Sequence, residues 1–342
     1  MIHPIETIKK SWEDDLAKWN YDASNVSYVT TASLWKLANN PQVYDIIVMD
    51  EVQLFSPANL HEMKALIEFG NKRILGLSGT VSRKTADEIM DVIKLPVLAE
   101  YSIHQGVMEK VITDYEINIV LTDLDSTLKY IQPSKKLPDF KVTELDRYKY
   151  ISNKIELIKQ EVIARNEKMV KEAEKHGRMI DYEDFEEFNL GLLPLQRMHL
   201  IRKSVSKLKA TKQLIKQFEG ERLLVFCGLT EVADSLGMPV FHSKDKDLGV
   251  RDAFCRGEGD CLATVDMFEA GVTIKPISKA IVNSFDSNPE NLSQKISRLT
   301  GFEYDNPDKK AVVYIVCTNT IERKWLKRAL EFFDTTKIKI IK

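Results

Sequence analysis

Two adjacent carboxylates, Asp50 and Glu51, close the apolar run Ile46-Ile-Val-Met49. Four consecutive apolar residues read as a buried parallel strand. The carboxyl edge of such a sheet is where ligands sit in open α/β folds. A hard cation such as Mg²⁺ takes a carboxylate oxygen there, directly or through water. A second carboxylate beside it can orient a water for attack on a phosphate. The same pair of acids is also what a strand ending at a solvated surface would show.

Further short motifs accompany the pair. Leu77-Ser-Gly-Thr80 ends a second apolar run, Arg73 to Leu77, 27 residues after Asp50. Leu223-Leu-Val-Phe-Cys227 is a buried-strand run followed by Gly228, Thr230 and Glu231. Ala263-Thr264, Phe268-Glu-Ala-Gly-Val-Thr-Ile274 and Ser293-Gln-Lys-Ile-Ser-Arg298 come next. Upstream stand His3-Pro4, leading into an amphipathic helix, and Val29-Thr-Thr-Ala-Ser33. In this order the set resembles the motifs of the superfamily 2 helicases and translocases. The Asp50 block is similar to motif II, or Walker B, in its Asp-Glu-x-Gln form. The remaining blocks resemble motifs III, IV, V, VI, Ia and Ib, and together they cover most of residues 1–125 and 220–342. Tyr101 to Asp123 is similar to the corresponding stretch of phage UvsW-like branch-migration helicases.

The resemblance implies ATP and Mg²⁺ as cofactors in a cleft between two lobes. Asp50 would hold the metal, and Glu51 would orient the attacking water. Gln53 would reach the γ-phosphate or a motif VI residue. Gly271 and Gln294 would contact nucleotide, and Arg298 would face the transferring phosphoryl group. Ser78 and Thr80 would couple the lobes. Thr30 and Thr264 would touch nucleic-acid phosphates.

Three departures stand out. No G-x-x-x-x-G-K-[ST] occurs in the 342 residues, although this loop cradles phosphates with backbone N–H groups and a lysine. A chain start beyond that segment, a partner chain that supplies it, and a degenerate non-hydrolysing protein all fit. In motif VI, Ser297 replaces a glycine and Gly301 replaces the second arginine, so Arg298 is the cation left, unless a partner supplies one. In motif V, Thr273 stands where the family has an acid.

The formal net charge of −2 gives no global basic field that would advertise nucleic acid, so any such surface is local. The best local candidate is Arg202, Lys203, Lys207, Lys209, Lys212 and Lys216, with no acid between residues 201 and 217. Cations so placed suit salt-sensitive, sequence-independent phosphate contacts, and a plain solvated face would look the same. Four scattered cysteines without a C-x-x-C pair suit reduced thiols in a cytoplasm. No leader is evident, no apolar run approaches the roughly 18 residues that span a bilayer, and the six histidines form no zinc-like cluster.

The elements that must position these residues alternate strand and helix, which implies parallel α/β sheets. We expect a RecA-like lobe over residues 1–121, incomplete at its N-terminus, with Val111–Leu121 as its last strand. A linker and helical insertion would occupy 122–219, and a second RecA-like lobe 220–342. The expected activity is that of an ATP-dependent DNA helicase or translocase in replication, recombination or repair. The alternative is a non-hydrolysing, helicase-derived nucleic-acid-binding or scaffold protein. A type I or III restriction motor is disfavoured, since no nuclease or specificity domain is evident.

Overall fold

The computed structural model describes residues 1–342 except 4–5, 72, 80, 128–129, 132–140, 182–184, 243–247, 266–273, 275–276, 302–305, 307 and 342. The first unit runs β1 (Ile2–His3), α1 (Glu6–Lys18), β2 (Val29–Thr30), α2 (Leu34–Asn39), β3 (Ile47–Met49), α3 (Pro57–Phe69), β4 (Ile74–Gly76) and α4 (Arg83–Ile93). Its four strands form a parallel sheet in the order β2-β1-β3-β4. Ile47 and Met49 of β3 pack on Leu34, Leu60, Met63 and Ile89 from α2, α3 and α4. Local signals set the helix starts. Pro57 stands in the first turn of α3, and Ser56 forms a capping box with Asn59. The Ser82 hydroxyl caps α4 by accepting from Thr85 N.

A short helix, α5 (Ile103–Met108), leads to β5 (Asp114–Thr122). A two-stranded ribbon, β6 (Tyr130–Ile131) with β7 (Lys141–Val142), precedes a helical hairpin, the 32-residue α6 (Glu144–Lys175) packed on α7 (Leu193–Arg202). There follow α8 (Val205–Gln217), β8 (Leu223–Cys227), α9 (Thr230–Asp234), β9 (Val240–Phe241), α10 (Leu248–Arg256), β10 (Cys261–Val265), β11 (Lys279–Val282), α11 (Pro289–Ser297), β12 (Lys310–Thr318), α12 (Glu322–Ala329) and β13 (Ile338–Ile341). These make a seven-stranded parallel sheet in the order β13-β5-β12-β11-β8-β10-β9. Every residue of β8 is buried, as a strand covered by helices on both faces must be. One face packs on α10, α11 and α12, the other on α8 and α9. The chain is therefore α/β, with two parallel-sheet lobes and a helical insertion.

Two expected boundaries move. The strand expected to close the first lobe is β5, and it pairs with β12 along nine residues and with β13 along four, inside the second sheet. An apolar strand needs partners on both edges, and its sequence does not say which sheet supplies them. The insertion also ends early. Leu214 and Phe218, on α8 and just after it, pack on Val225 and Cys227, so α8 belongs to the second lobe.

Lys207 requires a larger correction. Instead of facing nucleic acid, it is fully buried and paired with Glu322, which is 1% exposed. On α8, Lys209, Lys212 and Lys216 share one face by their i, i+3, i+7 spacing, and Lys207 falls on the opposite side. The Glu322 carboxylate also accepts from Thr318 N at 2.7 Å and Thr318 Oγ1 at 2.9 Å. The pair thus ties α8 to the end of β12. Lys207→Ala or Glu322→Ala strands a buried charge and is expected to cost about 3–5 kcal/mol, whereas Lys207→Met with Glu322→Leu should recover most of it. Urea unfolding of the three variants measures this, and single losses under about 1 kcal/mol would show that the pair is solvated.

Candidate active site

Asp50 follows β3 directly, and its backbone N–H donates to Ile2 O at 2.9 Å, which extends the ladder to β1. Both carboxylate oxygens accept hydrogen bonds. Glu51 N donates to Oδ1 at 3.0 Å, and the indole Nε1 of Trp12 on α1 donates to Oδ2 at 2.6 Å. A carboxylate offers about four lone-pair sites, so acceptor capacity remains for a hard cation. No cluster of three or more metal-ligating side chains occurs among the described residues. Mg²⁺ is usually held by one or two carboxylates with waters and phosphates, and Asp50 offers one such carboxylate.

Glu51 occupies the left-handed region, with φ 50° and ψ 48°. That conformation costs a non-glycine residue on the order of 1–3 kcal/mol and persists only where neighbours impose it. Here Val52 N donates to Leu77 O at 3.0 Å, and Leu77 N to Met49 O at 2.8 Å, so the turn is clamped to the end of β4. Gln53 is buried, and its Nε2 donates to Glu51 Oε2 at 2.5 Å. Its Oε1 is buried without a hydrogen-bond partner among the described residues.

On the second lobe α11 carries Gln294, and Arg298 follows at its C-cap. Burial pulls the Arg298 guanidinium below the ordinary arginine pKa, and the negative charge of Glu51 opposes that shift. Glu51, Gly79, Gln294, Ser297 and Arg298 line one cleft of about 290 Å³ between the lobes, together with Tyr101 and Phe333. The Nε2 of Gln294 is buried without a partner among the described residues. The cleft therefore holds the Glu51 carboxylate from one lobe, with Asp50 next to it in sequence, and a partly desolvated cation from the other, which suits polyphosphate chemistry. Gly301, in the place of the motif VI second arginine, pairs with Ile112 at the cleft's margin, with open space where a side chain would go.

The remaining candidates are dispersed. Thr80 and Gly271 lie outside the described residues, and Ser78 is exposed beside Gly79. Thr30 ends β2 at the same carboxyl edge as Asp50. Thr264 is buried near the end of β10, its hydroxyl without a partner among the described residues. Lys203 lies between α7 and α8, near the carboxyl end of β8, and pairs with Glu231. Lys212 and Lys216 sit at the opposite, amino edge of that sheet, lining a hollow with Glu219, Glu221 and Asp260. The six cations read from the sequence thus form no single surface.

Sequence reasoning missed two residues. Trp12 reads as one apolar position in an amphipathic helix, and its indole N–H is the only hint of a polar role. Glu290 reads as an acid in a first helical turn. In the fold it crosses between lobes and accepts from Ser82 N at 2.8 Å and Thr85 Oγ1 at 3.3 Å, at the N-terminus of α4. Charge-assisted bonds of this kind are worth roughly 1.5–3 kcal/mol. Glu290→Ala is expected to widen the separation of the lobes, visible as a larger radius of gyration in X-ray scattering. An unchanged scattering profile would show that other contacts hold the lobes.

No protein-family profile matches the sequence, and no curated protein sequence matches it. Solved structures do match in fold. S. cerevisiae Dbp5 bound to RNA and ADP BeF3 aligns with a TM-score of 0.57 at 10% identity, over 99% of this chain and 76% of that one. A fragment assigned as the HsdR subunit of a type I restriction enzyme from Vibrio vulnificus YJ016 aligns at 0.55 and 14% identity, over 92% and 52%. Mss116p bound to ssRNA and AMP-PNP aligns at 0.52 and 10% identity, over 100% and 63%. The chain shares with these structures a fold of two RecA-like α/β lobes. No helix among the described residues is long and apolar enough to cross a membrane.

Proposed function

We propose that this chain is the motor region of an ATP-dependent DNA helicase or translocase serving replication, recombination or repair. The observation that carries the reading is the shared interlobe cleft, in which Glu51 and Arg298 face one another from different lobes. Asp50 would hold Mg²⁺, which supplies charge neutralisation for the phosphates when bound. Glu51 orients a water and accepts its proton. Gln53 fixes the Glu51 carboxylate, and Arg298 meets charge developing on the phosphoryl oxygens. Hydrolysis would be read out as lobe movement because the acid and the cation ride on separate bodies.

Nucleic acid would lie along the carboxyl edges of the two sheets, with Thr30 on one lobe and Lys203 on the other. Two of the structures similar in fold carry RNA or ssRNA, so the substrate arms compare DNA with RNA. A second reading, a non-hydrolysing binding or scaffold protein, is favoured by Gly301 in the place of the second motif VI arginine.

ATP turnover with single- and double-stranded DNA and with RNA decides between them. Turnover stimulated by nucleic acid should fall at least about a hundredfold in Glu51→Gln and in Arg298→Ala, in line with the loss of one oriented transition-state group. Turnover that survives Glu51→Gln sinks the motor reading. Binding without any turnover selects the scaffold.

Lys203→Glu is expected to weaken binding of all sequences alike and to reduce the salt slope by about 1. Lys212→Glu with Lys216→Glu should leave affinity within about twofold, because these cations face an acidic hollow at the other edge of the sheet. Filter-binding titrations across a salt series measure both, and a larger effect from the second pair would relocate the nucleic-acid surface.

A further inference from the structure

We infer that Trp12 is a positioning residue for the metal-binding carboxylate, holding Asp50 in one orientation. The inference rests on the proposed role of Asp50 and adds a residue that no motif supplies. The indole Nε1 to Asp50 Oδ2 separation is 2.6 Å, a close contact to a carboxylate acceptor, and bonds to ionised acceptors are the shorter and stronger kind. Trp12 is half-buried on α1, 38 residues from Asp50, and lines with Leu16 and Val48 a hollow on the first lobe. An indole nitrogen donates only and cannot ligate a cation, so its bond to Oδ2 fixes orientation and nothing else.

The second donor, Glu51 N–H, grips Oδ1 at 3.0 Å. With one donor on each oxygen, rotation about the terminal side-chain torsion, which is otherwise broad for aspartate, is confined to one setting. The lone pairs that remain then face a fixed direction. Donors that orient a ligating carboxylate in this way typically govern metal affinity by 10- to 100-fold. The geometry also makes Trp12 a built-in reporter, since its ring is one hydrogen bond from the cation's ligand.

The test is Mn²⁺ binding to the intact chain, followed by electron paramagnetic resonance and by quenching of tryptophan fluorescence. Trp12→Phe keeps the ring and deletes the donor. It is expected to weaken Mn²⁺ binding 10- to 100-fold and to remove most of the Mn²⁺-dependent quenching. Asp50→Asn should lose the binding, and adding Trp12→Phe to it should change nothing further. Leu16→Ala is the control for packing, expected to lower thermal stability while leaving Mn²⁺ affinity within about threefold. Equal Mn²⁺ affinity in wild type and Trp12→Phe overturns the positioning role while leaving the metal site standing. Leu16→Ala weakening Mn²⁺ as much as Trp12→Phe also overturns it, since packing alone would then suffice. A wild-type chain that binds no Mn²⁺ overturns the assignment of Asp50 and the role of Trp12 together.

Discussion

One buried carboxylate bonds directly across the two halves of the molecule. Glu290 stands in the first turn of α11 and accepts from the first turn of α4 across the gap between lobes. The unpaired N–H groups of a helix start make it an electropositive end, so the acid is both hydrogen-bonded and electrostatically matched. Arg298 caps the other end of the same helix, in the field of Glu51. A rigid rod of nine residues thus touches the first lobe near its beginning and meets the first lobe's acid just after its end. Any change in lobe angle that strains the Glu290 contact must also change how Arg298 faces Glu51.

The two sheets explain why chemistry gathers where it does. All strands in each are parallel, so their carboxyl ends share an edge, and each following loop starts there. Asp50, Leu77 and Thr30 reach that edge in the first lobe, as Gly228 and Thr318 do in the second. Around Gly228 the packing leaves no room for a side chain, since a Cβ there would lie 2.2 Å from Ser284 Oγ and 2.9 Å from Arg202 Nε. The glycine is required by that close approach. It lets the end of α7 sit against β8, with Arg202 Nη1 donating to Gly228 O at 3.3 Å, and so anchors the helical hairpin to the second sheet.

How much of this was legible in the sequence follows from the physics of each signal. Leu223–Cys227 was read to the residue because a strand covered on both faces must be apolar throughout. The fold class followed from the alternation of such runs. The membership of β5 did not, because edge pairing is decided by which neighbour arrives, and that neighbour, β12, lies almost two hundred residues away in sequence. Lys207 was misplaced for a related reason. A lysine among lysines looks solvated, and only the arrival of Glu322, 115 residues on, makes its burial tolerable. Pair-dependent facts are invisible to a reading that takes residues one at a time, and Trp12 with Asp50 and Glu290 with Ser82 belong to the same class.

The strained residue suggests how the edge of β4 speaks to the acid. Glu51 holds its left-handed backbone because Val52 N is fastened to Leu77 O, and Leu77 N to Met49 O. Leu77 precedes Ser78 and Gly79, and Gly79 borders the interlobe cleft with open space about its Cα. A ligand or lobe movement that shifts this turn by a fraction of an ångström pulls on the hydrogen bond that maintains the strain. Glu51 could then relax toward an ordinary conformation, carrying its carboxylate away from Gln53 and out of the field of Arg298. A glycine at this position would remove the cost and with it the coupling. The turn after β4 is thus tied by two backbone bonds to the geometry of the acid, and it needs no side-chain contact to act on it.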